Sequence, residues 1–372
     1  MTVRRLIFFA ALVLFVSLIL WRGRSAEIVQ IGVLFDSGET SEAVISKQAL
    51  QSVILAMEYF NSRSSSFEMR PVPIYQSDPV SAVDHAPSDI SALITGPGVT
   101  FSANIAKISK ERGIPVISLA AGSLIPGKES LVFRPRPGTG GFVLGREAAR
   151  RGVKTYSVIV SGFDSGYVQE FIRDFEAGLG GVPPRRTIVF GEGLEKQIAH
   201  FDRIISGMDA MLLALPDWPA VIAFRELRLK SPGIPIFASN RVISHRSLML
   251  AGNLGKDFLS AAVPPGKKFL GSDGFYKFVT ETYGDHIPVC ILAMGYDGAA
   301  MLSAALEAAK SADRASLAGA LSGLEKIESS AGPVLVNDRG DLAVKSCVMS
   351  LEAGGWTPVK ELCGQGTGRE NQ

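Results

Sequence analysis

Hydroxyl-bearing and small residues gather at two places in the stretch LITGPGVTFSANIAKISKERGIPVISLAAGS, Leu93 to Ser123. Thr100 and Ser102 follow the turn Gly96-Pro97-Gly98, and either can stand at the mouth of a helix, where a side-chain oxygen satisfies amides that lack an intrahelical partner. A second apolar run then ends in Ser118-Leu119-Ala120-Ala121-Gly122-Ser123. Hydroxyls beside free helix amides suit a carboxylate, because those amides and the helix dipole both favour negative charge. The same residues also make ordinary turns. Spacing alone leaves a ligand site and a plain structural turn equally open.

The elements around these residues are legible. Leu93-Ile94 opens a strand, Phe101, Ile105 and Ile108 recur at helical spacing, Gly113 closes the helix, and Ile114 to Ile117 forms a second strand. Strand, helix and parallel strand make a βαβ unit whose strand ends discharge into both loops, and ligands of open α/β sheets sit off those carboxyl ends. Upstream lies a strand from Ile28 to Phe35, a helix with apolar face Leu50, Val53, Ile54, Met57 and Phe60, and a strand from Val72 to Tyr75. Pro79 and Pro87 leave little room for a regular helix between Ser77 and Asp89.

From Gly141 the alternation restarts. Helix Phe142 to Arg151, strand Tyr156 to Val160 and an amphipathic helix near Tyr167 (Val168, Phe171, Ile172, Phe175) come first. Strands at Thr187–Phe190, Met211–Leu215 and Ile234–Ala238 alternate with helices at Gln197–Ile205 and Ala220–Lys230. Helices at Gly274–Tyr283 and Gly295–Ala309, a strand at Val334–Val336 and a hairpin from Cys347 to Val359 complete the chain. Two alternating runs with a restart predict an α/β protein of two doubly wound lobes, joined by short crossovers around a cleft.

Composition narrows the function. The 372 residues suffice for two cores, and 38 Lys plus Arg against 36 Asp plus Glu give no concentrated basic face for nucleic acid. Phosphate-loop, zinc-protease, C-x-x-C and nucleophile-elbow motifs are missing, and His85, His200, His245 and His286 lie far apart. No enzyme, cofactor or metal site is expected. At the N-terminus, Arg4-Arg5 precede an apolar run from Leu6 to Trp21. That pattern exports the body to the periplasm as a signal peptide, with retention at the inner membrane through residues 6–21 as the alternative. Among Cys290, Cys347 and Cys363, the last two flank the turn Ala353-Gly354-Gly355 and are the pair that could bridge; three unbridged thiols remain the other reading.

Several segments together resemble the periplasmic leucine/isoleucine/valine-binding proteins, the type I solute-binding components of branched-chain amino acid ABC transporters. They are GYDGAAMLSAALEAA from Gly295, GPVLVNDRGDL from Gly332, AMEYFN from Ala56, ITGP from Ile94 and AGNLGKDFLSAAVPP from Ala251, in that family's order. The resemblance implies a Venus-flytrap protein of two Rossmann-like lobes joined by three crossovers. It divides the chain into an export segment 1–26, lobe 1 at 27–140 plus about 264–332, lobe 2 at 141–263 plus about 333–360, and a tail 361–372. It implies a monomer that captures a small amino-acid-like or carboxylate solute and delivers it to an ABC permease in the inner membrane; a membrane-anchored sensor of the same fold is the alternative.

Carried over by position, the ligand residues are Thr100, Ser102, Ala120, Ala121, Ser123, Tyr167 and Asn240. The family's ammonium-pairing acid falls at Asn240, and an amide cannot neutralise a buried cation. Asp36, Glu39 or Asp217 could replace it. A lining of Phe101, Ala120, Tyr167 and Trp218 would otherwise suit a carboxylate without an ammonium, such as an aromatic acid or amide, although Phe101 also reads as core.

Overall fold

Strand β1 (Glu27–Phe35) buries Val29, Ile31, Val33 and Leu34 on both of its faces, as a central strand of a covered parallel sheet must. In the computed structural model it pairs in parallel with β2 (Phe67–Tyr75) and β3 (Ala92–Thr95), followed by β4 (Val116–Ser118) and β5 (Val132–Phe133), in the order β2-β1-β3-β4-β5. The structure describes residues 26–35, 41–64, 66–76, 78–161, 165–190, 201–243, 249, 251, 255, 257–284, 287–352, 355–359 and 363. Residues 1–25 of the export segment, the loop from Asp36 to Thr40 and nearly all of the expected tail lie outside them. Pro71 and Pro73 fall on β2, an edge strand, where a missing amide costs no ladder bond.

Helices Ser41–Asn61 and Val289–Ala309 pack together on this sheet, with Leu50, Val53, Met57, Leu302 and Ala305 in one core. Gly295 makes the approach possible: a Cβ there would lie 1.8 Å from Ser52 Oγ, and that hydroxyl donates to the Ile291 carbonyl at 3.0 Å. The Val289–Ala309 helix is long and apolar enough to cross a membrane, but its apolar stretch is mostly buried in this core. It begins six residues before the expected Gly295, directly after Pro288, which holds the N-cap position.

The second sheet contains β6 (Tyr156–Ser161), β7 (Arg186–Phe190), β8 (Ala210–Ala214), β9 (Ile236–Ala238) and β10 (Phe258–Ala262), all parallel. A separate hairpin, β11 (Lys326–Ser329) and β12 (Gly332–Leu335), precedes β13 (Cys347–Glu352) and β14 (Gly355–Pro358), which close the second sheet antiparallel in the order β14-β13-β10-β9-β8-β6-β7. Cys347 is bonded to Cys363, so of the two readings of the cysteines the bridge is the one found. The fold is the expected α/β arrangement of two doubly wound lobes.

The chain passes between the sheets three times, through residues 134–140, 263–266 and 343–346. The third passage comes later than the expected boundary near 333, because β12 pairs with β11 and Leu342 is buried in the first lobe's core. Arg134 on the first passage grips Asp341, just before the third, with two bonds of 2.6 and 2.5 Å, and both side chains are buried. Arg136 likewise donates to Asp297 at 2.8 Å and to Ser330 at 2.7 Å. Pro79 does not exclude a helix, contrary to the expectation for residues 77–89. It starts the short helix Pro79–Asp84, capped by Asp78 accepting from the Ser81 amide at 2.7 Å, since proline at a first helical position has no bond to lose.

Candidate functional site

The turn after β3 delivers helix Val99–Glu111 to the rim of the first sheet. Gly98, in extended conformation, precedes it without a side-chain cap, so no capping side chain meets the amides of the first turn. Thr100 is exposed there. The rim of the second sheet carries helix Ser165–Gly178 after β6. The two helix mouths meet: a Cβ at Gly166 would lie 3.1 Å from Val99 Cβ and 3.8 Å from Thr100 Oγ1. Thr100 and the Gly166-Tyr167 turn therefore face each other across one gap.

Tyr167 is almost buried at this junction and donates to Asn240 Oδ1 at 2.9 Å. Its ring stacks on Phe171, with centroids 6.1 Å apart, and carries the Arg241 guanidinium 4.0 Å from its centroid. A cation over an aromatic face is held by the ring quadrupole. Asn240 and Arg241 belong to a short 3-10 turn, Asn240–Val242, directly after β9. The tip of β9 thus supplies an amide and a guanidinium. Asp36 and Glu39, two of the three possible replacement acids, lie outside the described residues, as does the side chain of the third, Asp217.

The other expected ligand residues divide. Ser102 is fully buried, and its hydroxyl is committed to its own lobe, bonding Thr95 Oγ1 at 2.9 Å and donating to the Gly96 carbonyl at 3.1 Å. It stitches the turn to the helix. Ala120 is fully buried, with its amide donating to Ser118 Oγ at 3.3 Å, and Ala121 is half-buried. Ser123 reaches across the gap: its amide donates to Glu170 Oε1 at 3.0 Å and its hydroxyl to Glu170 Oε2 at 3.1 Å. Phe101 packs partly buried against the core, and Trp218 is 51% exposed.

Glu170 is the residue that sequence reading misses. It lies one turn after Tyr167, and its periodicity matches any polar position of an amphipathic helix. Its side chain is nevertheless only 7% exposed, and Arg173 donates to it at 3.2 Å. Among the described residues no group of three or more His, Cys, Asp or Glu side chains could hold a metal ion.

Two α/β lobes joined by three passages, with the ends of their sheets facing each other, make the type I periplasmic-binding-protein fold. Known structures share it. A solute-binding protein of an ABC transporter from Rhodopseudomonas palustris BisB5, in complex with 3,4-dihydroxy benzoic acid, superposes with a TM-score of 0.73 at 16% identity, over 89% of this chain and 96% of its own. A branched-chain amino acid transporter substrate-binding protein from Streptococcus pneumoniae, in complex with isoleucine, gives 0.72 at 15% identity, over 89% and 98%. A leucine-binding protein from Thermotoga maritima gives 0.69 at 18%, over 89% and 97%. No protein-family model matches the sequence, and no curated protein matches it.

Proposed function

We propose that this chain is an extracytoplasmic solute-binding protein of an ABC importer, which closes its lobes on a small amino-acid-like or carboxylate solute and presents it to an inner-membrane permease. The observation that carries the reading is the confrontation of Thr100 with the Gly166-Tyr167 turn at the tips of two separate sheets. Closure around a solute is driven by contacts to both lobes, and this is where both lobes offer donors. The ligand residues are Thr100 and the first-turn amides on one side, and Tyr167 and Asn240 on the other, with Ala121 on the connecting loop.

Charge refines the solute class. Asn240 accepts from Tyr167 where an ammonium would need a carboxylate, and Arg241 adds positive charge beside the ring. Both features favour an acid without an ammonium over a zwitterion, since an unpaired buried ammonium is costly. Structural relatives bound to aromatic acids and to amino acids are both known, so the two classes can be set against each other. Export is supported by the Arg4-Arg5 and Leu6–Trp21 pattern and by the Cys347–Cys363 bridge, a bond that persists in oxidising compartments.

The test is a thermal-shift series of the purified protein with benzoate, 4-hydroxybenzoate, 3,4-dihydroxybenzoate, isoleucine and leucine, because a compound bound only by the native form raises the melting temperature. A rise with the acids exceeding that with the amino acids is expected. A rise confined to the amino acids would overturn the solute class, and no rise with either would count against the binding role.

A further inference from the structure

We propose that Glu170 and Ser123 form an interlobe latch, a pair of protein contacts that favours the closed arrangement of the two lobes. Glu170 belongs to helix Ser165–Gly178 of the second lobe, and Ser123 to the loop after β4 of the first. One carboxylate takes two bonds across the gap, from the Ser123 amide at 3.0 Å and the Ser123 hydroxyl at 3.1 Å. Hydrogen bonds to a charged acceptor are stronger than neutral ones, and a carboxylate with two oxygens is suited to receiving two donors from one residue.

The latch is backed on both sides. Arg173 donates to Glu170 at 3.2 Å from the next turn of the same helix. On the first lobe, Gly122 adopts φ +125° and brings its backbone against Glu170, where a Cβ would lie 3.4 Å from Glu170 Cγ. The Gly122 carbonyl accepts from Arg134 Nη1 at 2.5 Å, its amide donates to the Pro137 carbonyl at 2.9 Å, and Arg134 is locked to Asp341. The strike of the latch is thereby fixed to the first passage between the lobes and to the chain entering the third. Gly166 completes the closure, since its lack of a side chain lets the second lobe reach Val99.

An opening that separates Ser123 from Glu170 breaks both bonds. They form in the closed state whatever the solute, and a contact present in only one of two states shifts the equilibrium toward it. Latch strength therefore sets how much of a solute's binding energy is spent on closing, and so tunes affinity without touching the solute.

The experiment needs no solute, so its outcome is independent of the transport reading. Amide exchange at Ser123 and small-angle scattering are measured on the purified full-length protein without additives, for wild type, Glu170→Ala, Ser123→Ala and Gly166→Val. Glu170→Ala is expected to speed exchange at Ser123 by about tenfold or more and to enlarge the radius of gyration, while core strand amides such as Ile94 and Val158 keep their protection. Gly166→Val should enlarge the radius through a wedge against Val99. Should Glu170→Ala lose its core protection, Ser123→Ala decides, because it removes only an exposed hydroxyl. A severalfold rise in exchange at Gly166 and Tyr167 in Ser123→Ala supports the latch. Unchanged exchange and superimposable scattering in Ser123→Ala, or in a folded Glu170→Ala, overturn it.

Discussion

Tyr167 works through both ends of its side chain. The ring contacts Phe171 and the Arg241 guanidinium, and the hydroxyl fixes Asn240. Tyr167→Phe keeps the ring contacts and removes the donor, so a loss of about 0.5–1.5 kcal/mol in urea unfolding is expected, with the m-value unchanged. The position of Tyr167 can be read from the sequence because it opens an amphipathic helix after a strand. The use of Ser102 cannot: a hydroxyl in a first helical turn looks the same whether it faces a ligand or its own turn, and only the fold shows Thr95 beside it. Glu170 is hidden for a related reason, since its partner Ser123 is 47 residues away and no local period encodes that contact.

Glu147 gives a pH test at the same scale. Burial raises its pKa, but hydrogen bonds and charge from Arg150 and Arg151 more than offset this and leave it below the ordinary glutamate value. A carboxylate depressed in the fold contributes stability that is present above its unfolded pKa of about 4.3 and is lost as the pH falls through its folded value. Glu147→Gln should therefore be less stable than wild type at pH 7 by about 1–3 kcal/mol. The gap should narrow in denaturation curves taken progressively below pH 5; a gap that stays constant into acid would contradict the ion-pair account.

Two helical glycines predict opposite signs at the scale of elements. Gly295 lies where helices Ser41–Asn61 and Val289–Ala309 touch, and a Cβ there would meet Ser52 backbone at 2.6 Å. Gly295→Ala should cost about 1–3 kcal/mol through overpacking, or more if the helices must part. Gly319 is exposed within helix Arg314–Ser322, and among the described residues nothing comes within 4 Å of the position of its Cβ. Gly319→Ala should stabilise by about 0.4–1 kcal/mol, since the unfolded chain loses freedom and the fold meets no clash. Melting temperatures of the two variants check both signs. The helix bearing Leu50, Val53 and Met57 is legible in the sequence because one period matches one buried face, and β1 because its short apolar run fits a strand covered on both faces. The start of helix Val289–Ala309 is blurred because it is apolar all round, so no period marks its first turn. The late return to the second lobe is also unmarked, since β12 pairs with β11 by local hairpin geometry and its short apolar run looks the same in either lobe.

Across the whole molecule, two sheets that share a buried apolar cluster are tied by three passages pinned by Arg134–Asp341 and Arg136–Asp297, a layout that permits rotation about those passages. Such a frame suits a gripping motion, and the gap it governs is bounded by Thr100 on one rim and Tyr167 on the other. The two-lobed frame could be read from the restart of strand–helix alternation at Gly141, whereas the meeting of the rims could not, because it depends on how far the lobes close. The most direct test is calorimetric titration of wild type, Thr100→Val and Tyr167→Ala with whichever of benzoate, 4-hydroxybenzoate, 3,4-dihydroxybenzoate, isoleucine and leucine gives the largest thermal shift. If one solute touches both rims, each substitution, though on a different lobe, weakens its binding by about 1–3 kcal/mol, roughly five- to 150-fold. Wild-type affinity in both variants would contradict a shared site between the lobes.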